Sequence, residues 1–129
     1  MRYLLDTHAF IWLDATPHKL SATVLQLIED QRNLLYLSVA SVWEMQIKLQ
    51  MGKLHMEANL SETLESQQVV NQIQILPILL PDVLALQNLP LHHKDPFDRL
   101  LIAQAMREGM PIISKDVLLH AYPVQVIWS

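Results

Sequence analysis

The chain has 129 residues and a formal net charge of −4, from 13 acidic and 9 basic residues. At about 150 residues per domain, this length is expected to form one domain, 1–129, with a core that needs no covalent staples. The absence of cysteine excludes disulfides, thiolate metal sites and a cysteine nucleophile, and the only two glycines, Gly52 and Gly109, lie too far apart for a P-loop or a dinucleotide fingerprint.

Short apolar runs alternate with helical patterns along the chain, which is the sequence form of α/β architecture. Tyr3-Leu4-Leu5 reads as a buried strand ending at Asp6, followed by a short helix through Phe10 and Trp12. Ser21 is placed to cap a helix carrying Val24, Leu25 and Ile28 at helical spacing. Leu34 to Leu37 is the second strand, and Ser38 to Lys48 is a helix with Val42, Met45 and Leu49 on one stripe and Gly52 as its stop. Asn59 or Ser61 opens a further helix. Gln74 to Leu76 is a third strand, and Pro81 starts a helix running to Leu89. Pro96 starts another that ends at Gly109. Pro111 to Ile113 and Val124 to Trp128 supply two more strands, giving about five in a central parallel sheet with helices on both faces, a three-layer α/β/α sandwich. Trp12, Trp43 and Trp128 are expected in the core, and Met45, Met51 and Met56 in the core or an interface.

Asp6 interrupts the first apolar run before a signal-peptide core can form. No stretch approaches the roughly 20 apolar residues of a membrane span. A cytoplasmic protein without membrane contact is the expectation.

In a parallel sheet of this kind, strand C-termini and helix N-termini meet along one edge, where such folds bind ligands. Asp6, Glu44, Asp98 and Asp116 all fall at that edge. Four converging carboxylates suit a hard divalent cation such as Mg²⁺ or Mn²⁺. Setting these four aside leaves nine acids against nine basic residues, so the net acidity is the acidity of the proposed site. With metal present it does not oppose a polyanionic substrate.

Several of these acids also admit a local role. Ser41-Val42-Trp43-Glu44 has the form of a capping box, Asp95 before Pro96 reads as an N-cap that Asp98 could complete, and Asp116 could cap a turn over Val117 to Leu119. Asp6 has no evident capping role. Arg99 and Lys115, beside two of the acids, are candidates for phosphate contact. His92-His93 adjoins Asp95-Pro96-Phe97-Asp98 and could serve substrate binding, but it lacks the i, i+4 spacing of a zinc helix, and a loop role is the favoured reading. His8 lies nearer the acids and suits a local hydrogen bond.

Leu4-Leu5-Asp6-Thr7-His8 followed by Trp12, Trp43-Glu44 within Ser38 to Lys48, Asp95-Pro96-Phe97-Asp98-Arg99-Leu100-Leu101-Ile102-Ala103-Gln104-Ala105, and Ile113-Ser114-Lys115-Asp116 occur in this order. Over nearly its whole length the chain resembles a PIN-domain ribonuclease of the VapC type, the toxin half of bacterial and archaeal toxin–antitoxin pairs. The resemblance implies an endoribonuclease that hydrolyses RNA phosphodiesters with one or two Mg²⁺ or Mn²⁺ ions. Asp6 and Asp98 match direct ligands, and Glu44 and Asp116 match ligands or water-mediated contacts. The family's hydroxyl residue corresponds best to Ser38, with Thr7 and Ser114 as further candidates. The implied partners are RNA, a cognate antitoxin and a second copy of the chain. The segment Lys53 to Leu91 carries no signature.

Three other readings compete. A phosphoacceptor receiver domain would have an acidic pair after the first strand and a central aspartate, but Thr7 follows Asp6 and no aspartate lies near Gln74 to Leu76. A haloacid-dehalogenase-like phosphatase would need an aspartate where His8 stands. A catalytically silent module would bind RNA or protein without cleaving it.

Overall fold

Alternate side chains of each strand enter two different cores, which is what a sheet covered on both faces requires. The computed structural model describes all residues, 1–129. Its strands are β1 (Arg2–Leu5), β2 (Leu34–Ser38), β3 (Gln74–Leu76), β4 (Ile112–Ile113) and β5 (Val126–Ile127). All pair in parallel, in the order β3-β2-β1-β4-β5. Tyr3, Leu5, Leu35, Leu37 and Ile113 face the first core, where they meet Ala9, Phe10, Val24 and Met45. Leu4, Leu76 and Ile112 face the second, against Leu101, Ile102, Ala105 and Leu119.

The helices are α1 (Thr7–Ala15), α2 (Ala22–Glu29), α3 (Val39–Gln50), α4 (Leu60–Val70), α5 (Leu80–Ala85) and α6 (Pro96–Glu108). Every start but that of α5 is explained by an N-cap side chain that accepts an otherwise unpaired N–H. Ser21 caps α2, Asn59 caps α4 and Asp95 caps α6, with Pro96 in the first turn. Gly109 ends α6 at φ 64°, a left-handed conformation that costs glycine little. The helix expected over Pro81 to Leu89 is shorter: α5 ends at Ala85 and a 3₁₀ turn continues over Leu86–Asn88. β4 and β5 are likewise shorter than expected.

One expectation about burial needs correction. Trp43 is 56% exposed and not in the core, because α3 turns that face outward; its ring packs edge-on against Phe97 with centroids 5.2 Å apart. Met51, just beyond α3, is exposed as well, whereas Met45 is fully buried. The strand order also differs from the 2-1-3-4-5 order of receiver domains, which removes that alternative. No helix is long and apolar enough to cross a membrane.

β1 is central, and the chain runs from it through β2 to β3 on one side before crossing over to β4 and β5 on the other. The crevice between the C-terminal ends of β1 and β4 is therefore the topological switch point, where ligands bind in open α/β sheets. On the second face, α5 is tied to α6 by an ion pair. Asp82, with a fully buried side chain, receives Arg107 Nε on Oδ1 at 2.5 Å and Nη2 on Oδ2 at 3.0 Å.

Removing one partner of such a pair leaves a charge stranded in a low-dielectric setting. Arg107→Met, which keeps the aliphatic stem, is expected to destabilise the fold by about 3 kcal/mol, toward the lower end for buried pairs because the arginine is partly exposed. A urea denaturation series measures it, and a loss under about 1 kcal/mol would show that the pair is dispensable.

Candidate functional site

Asp6 directly follows β1, and its peptide N–H is bonded to the Ile113 carbonyl of β4 at 3.0 Å, which sets it at the switch point. It does have a capping role, contrary to the sequence expectation: Oδ1 accepts the Ala9 N–H at 2.7 Å and so caps α1. The carboxyl is nonetheless raised above the ordinary aspartate range. Burial dominates, Asp116 adds to it, and the Ser114 hydroxyl, the Ala9 N–H and His8 oppose it.

Glu44 is buried in the second turn of α3. The capping-box reading fails because Ser38, not Ser41, is the N-cap: Ser38 Oγ accepts the Ala40 N–H at 2.9 Å. This frees Glu44 to point into the crevice, where Thr7 Oγ1 donates to its Oε1 at 2.7 Å and Lys48 Nζ to its Oε2 at 2.8 Å. Ser41 Oγ completes the group at 2.9 Å from Thr7 Oγ1. The Glu44–Lys48 pair was readable from its i, i+4 spacing.

Asp98 lies in the first turn of α6. Its carboxyl is pushed up to about 7, first by burial and then by Asp95, with smaller contributions from Asp6 and Glu44 against the opposing effect of His93. The capping work falls to Asp95 alone, whose Oδ1 accepts the N–H groups of Phe97 at 2.8 Å and Asp98 at 3.2 Å. Asp116 follows β4 and caps the 3₁₀ turn Val117–Ala121 through Oδ1, which accepts the Leu118 N–H at 2.9 Å. Its own N–H donates to Ser114 Oγ at 3.0 Å.

The residue that sequence reasoning missed is His93. The expected loop histidine is buried, and its Nε2 stands 2.7 Å from Asp116 Oδ2 and 3.2 Å from Asp98 Oδ2. Its contact with Asp116 spans 23 residues, beyond any local spacing rule. His92 instead packs its ring on Tyr122, and His8 is exposed beside Trp12.

Other candidates are engaged elsewhere. Ser38 Oγ donates to Gln104 Oε1, and Gln104 in turn donates to the Pro77 carbonyl. Arg99 is spent on structure: its guanidinium donates to the carbonyls of Leu86, Leu89, Pro90 and His93. Lys115 is exposed beside Asp116. The crevice thus unites Asp6, Glu44, Asp98 and Asp116 with Thr7, Ser114 and His93.

This donor set fits a hard divalent cation. Ligand atoms of His93, Asp98 and Asp116 lie within 4.8 Å of one another, most donors are carboxylate oxygens, and a cation would favour the ionised Asp6 and Asp98 carboxylates that burial disfavours.

Because Asp98 takes its proton up more readily in the folded state than in the unfolded one, the metal-free fold binds the extra proton between about pH 4 and about 7. Stability should therefore fall as pH rises through that window. Asp98→Asn is expected to flatten the fall, and melts in chelator at pH 5, 6, 7 and 8 would show it. A variant that keeps the wild-type slope would place the titration on another group.

Over residues 3–124 the sequence matches the PIN domain family. Among solved structures, VapBC2 from Rickettsia felis, bound to a DNA fragment from their promoter, aligns over 100% of both chains at 15% identity with a TM-score of 0.73. VapBC-1 from nontypeable Haemophilus influenzae aligns over 98% of this chain and 97% of that one, at 18% identity and a TM-score of 0.65. FitAcB from Neisseria gonorrhoeae covers 97% and 96%, at 19% identity and a TM-score of 0.62. No curated protein sequence gives a match. At these identities the solved structures establish the fold, and the family match, which runs from β1 to just before the last strand, establishes the kinship: the chain belongs to the PIN domain family.

Proposed function

We propose that the chain is a metal-dependent endoribonuclease of the VapC type, the toxin of a toxin–antitoxin pair. The observation that carries this reading is the meeting of four carboxylates, from four separate elements, in the switch-point crevice of a PIN fold. A sheet needs no such grouping for stability, and the Asp6 and Asp98 carboxyls, raised first by burial and then by neighbouring acids, mark it as costly.

Asp6, Asp98 and Asp116 would hold Mg²⁺ or Mn²⁺, with Glu44 as a further ligand or a water-mediated contact. A bound ion of this class activates water and screens the charge that builds on phosphate oxygens during hydrolysis. The chain's own residues prepare the place. Thr7 and Lys48 fix the Glu44 carboxylate from both sides. Ser114 steadies Asp6 and the Asp116 backbone. Lys115, exposed next to Asp116, is placed for a phosphate of the RNA backbone. Arg99 has no such role here, since both its Nη groups are already committed to main-chain carbonyls.

Incubation of the purified chain with total RNA and Mn²⁺ or Mg²⁺ should give cleavage that chelator abolishes. Asp6→Asn and Asp98→Asn are expected to lower the rate by at least about 10²-fold, whereas Asp95→Asn, which keeps a good cap, should stay near wild type. Intact RNA under every metal condition, with a folded protein, would favour the silent binding module.

An antitoxin is the partner this reading requires, and the VapBC complexes among the structural relatives support it. The carboxylates of the crevice match a guanidinium in charge and fork geometry. A complex with the antitoxin should therefore place a basic side chain, arginine by preference, among Asp6, Asp98 and Asp116. A complex structure that leaves the crevice open would overturn this.

A further inference from the structure

The loop that carries His93 is fastened by six hydrogen bonds from two side chains, Arg99 and Tyr122. Arg99 reaches back from α6 to the carbonyls of Leu86, Leu89, Pro90 and His93 at 3.0 to 3.4 Å. Tyr122 grips the same loop from the other side: its hydroxyl donates to the Pro90 carbonyl at 2.6 Å and accepts the His93 N–H at 2.8 Å. The outcome of these bonds is one buried imidazole between Asp98 and Asp116. Proximity alone would make His93 a metal ligand, since its Nε2 shares a 4.8 Å sphere with oxygens of both acids.

The other ring nitrogen argues against ligation. The Asp95 N–H donates to His93 Nδ1 at 3.1 Å, so Nδ1 is an acceptor and carries no proton. In a neutral ring the proton then resides on Nε2. That N–H is aimed at Asp116 Oδ2, 2.7 Å away. Nδ1 has its lone pair occupied and Nε2 has none to offer. Ligation through Nε2 would require a proton on Nδ1, where it would collide with the Asp95 N–H.

Resting on the metal-site reading above, we propose that His93 is a positioning residue and not a ligand: its Nε2–H orients the Asp116 carboxylate, beside Asp98, for a divalent cation held by oxygen alone. The consequence is a preference set by carboxylates. Such a site does not discriminate strongly between Mg²⁺ and Mn²⁺, whereas a nitrogen ligand would tilt it toward Mn²⁺.

Two measurements on the full chain test this. Long-range ¹H–¹⁵N correlation of the histidine rings, with His93 assigned by its loss in His93→Gln, should show a protonated Nε2 and an unprotonated Nδ1, in chelator and again with saturating Mg²⁺. A proton on Nδ1, or loss of the Nε2 proton when Mg²⁺ is added, would overturn the proposal. Calorimetric titration with each ion should show His93→Ala weakening Mg²⁺ and Mn²⁺ by the same factor, about 10- to 100-fold. His93→Gln, whose amide donates an N–H, should recover most of it. A loss confined to Mn²⁺ would make His93 a ligand after all. If the wild-type chain binds neither ion, the metal-site reading itself falls, and the ring spectrum in chelator still reports the tautomer separately.

Discussion

Like charges gathered out of water must each be held by donors, and the arrangement at the head of β1 follows from how unevenly those donors are shared. Asp6 has the Ala9 N–H and Ser114, Glu44 has Thr7 and Lys48, and Asp116 has the Leu118 N–H and His93. Asp98 has only the more distant approach of His93. Burial first, and then Asp95, Asp6 and Glu44, push its carboxyl up to about 7, and the better-supported Asp6 is raised as well, chiefly by its burial. A cation would favour the ionised form of both.

The scaffold makes this imbalance tolerable by being rigid where the charges meet. β1 is paired on both sides, its residues are buried against two cores, and Asp6 stays in register with Ile113 through the backbone. α3 bridges the two cores, with Met45 in one and Ala40 in the other. Its Glu44 is therefore referenced to the same packing as Asp6. A crowded carboxylate in a softer frame would swing out to solvent, and its energy would be relieved by motion.

Much of this was legible in the sequence because the signals are local. Apolar triplets before an acid mark strands, Asp95-Pro96 marks a helix start, and Gly109 marks a helix stop; all are decided within a few residues. The misreadings came where two local signals compete or where the deciding contact is remote. Ser38 and Ser41 both offer a cap to the helix after β2, and only the strand's end point selects Ser38. Trp43 is as apolar as any core residue, but the helix face it occupies depends on where α3 packs. His93 had no local signal at all, since Asp116 reaches it only when the turn after β4 folds beside the loop before α6.

The segment before α6 carried no family signature, and the structure supplies a reason. Arg99 recognises the chain there entirely through main-chain carbonyls, and Tyr122 likewise binds a carbonyl and a peptide N–H. Recognition of that kind is blind to side-chain identity. The identities of Leu86, Leu89, Pro90 and Leu91 are thus released from the task of placing the imidazole, and the information resides instead in a single guanidinium whose planar fork a lysine cannot reproduce. Such a loop can drift in composition, or take on a new outward-facing surface, while the imidazole beneath it stays in place.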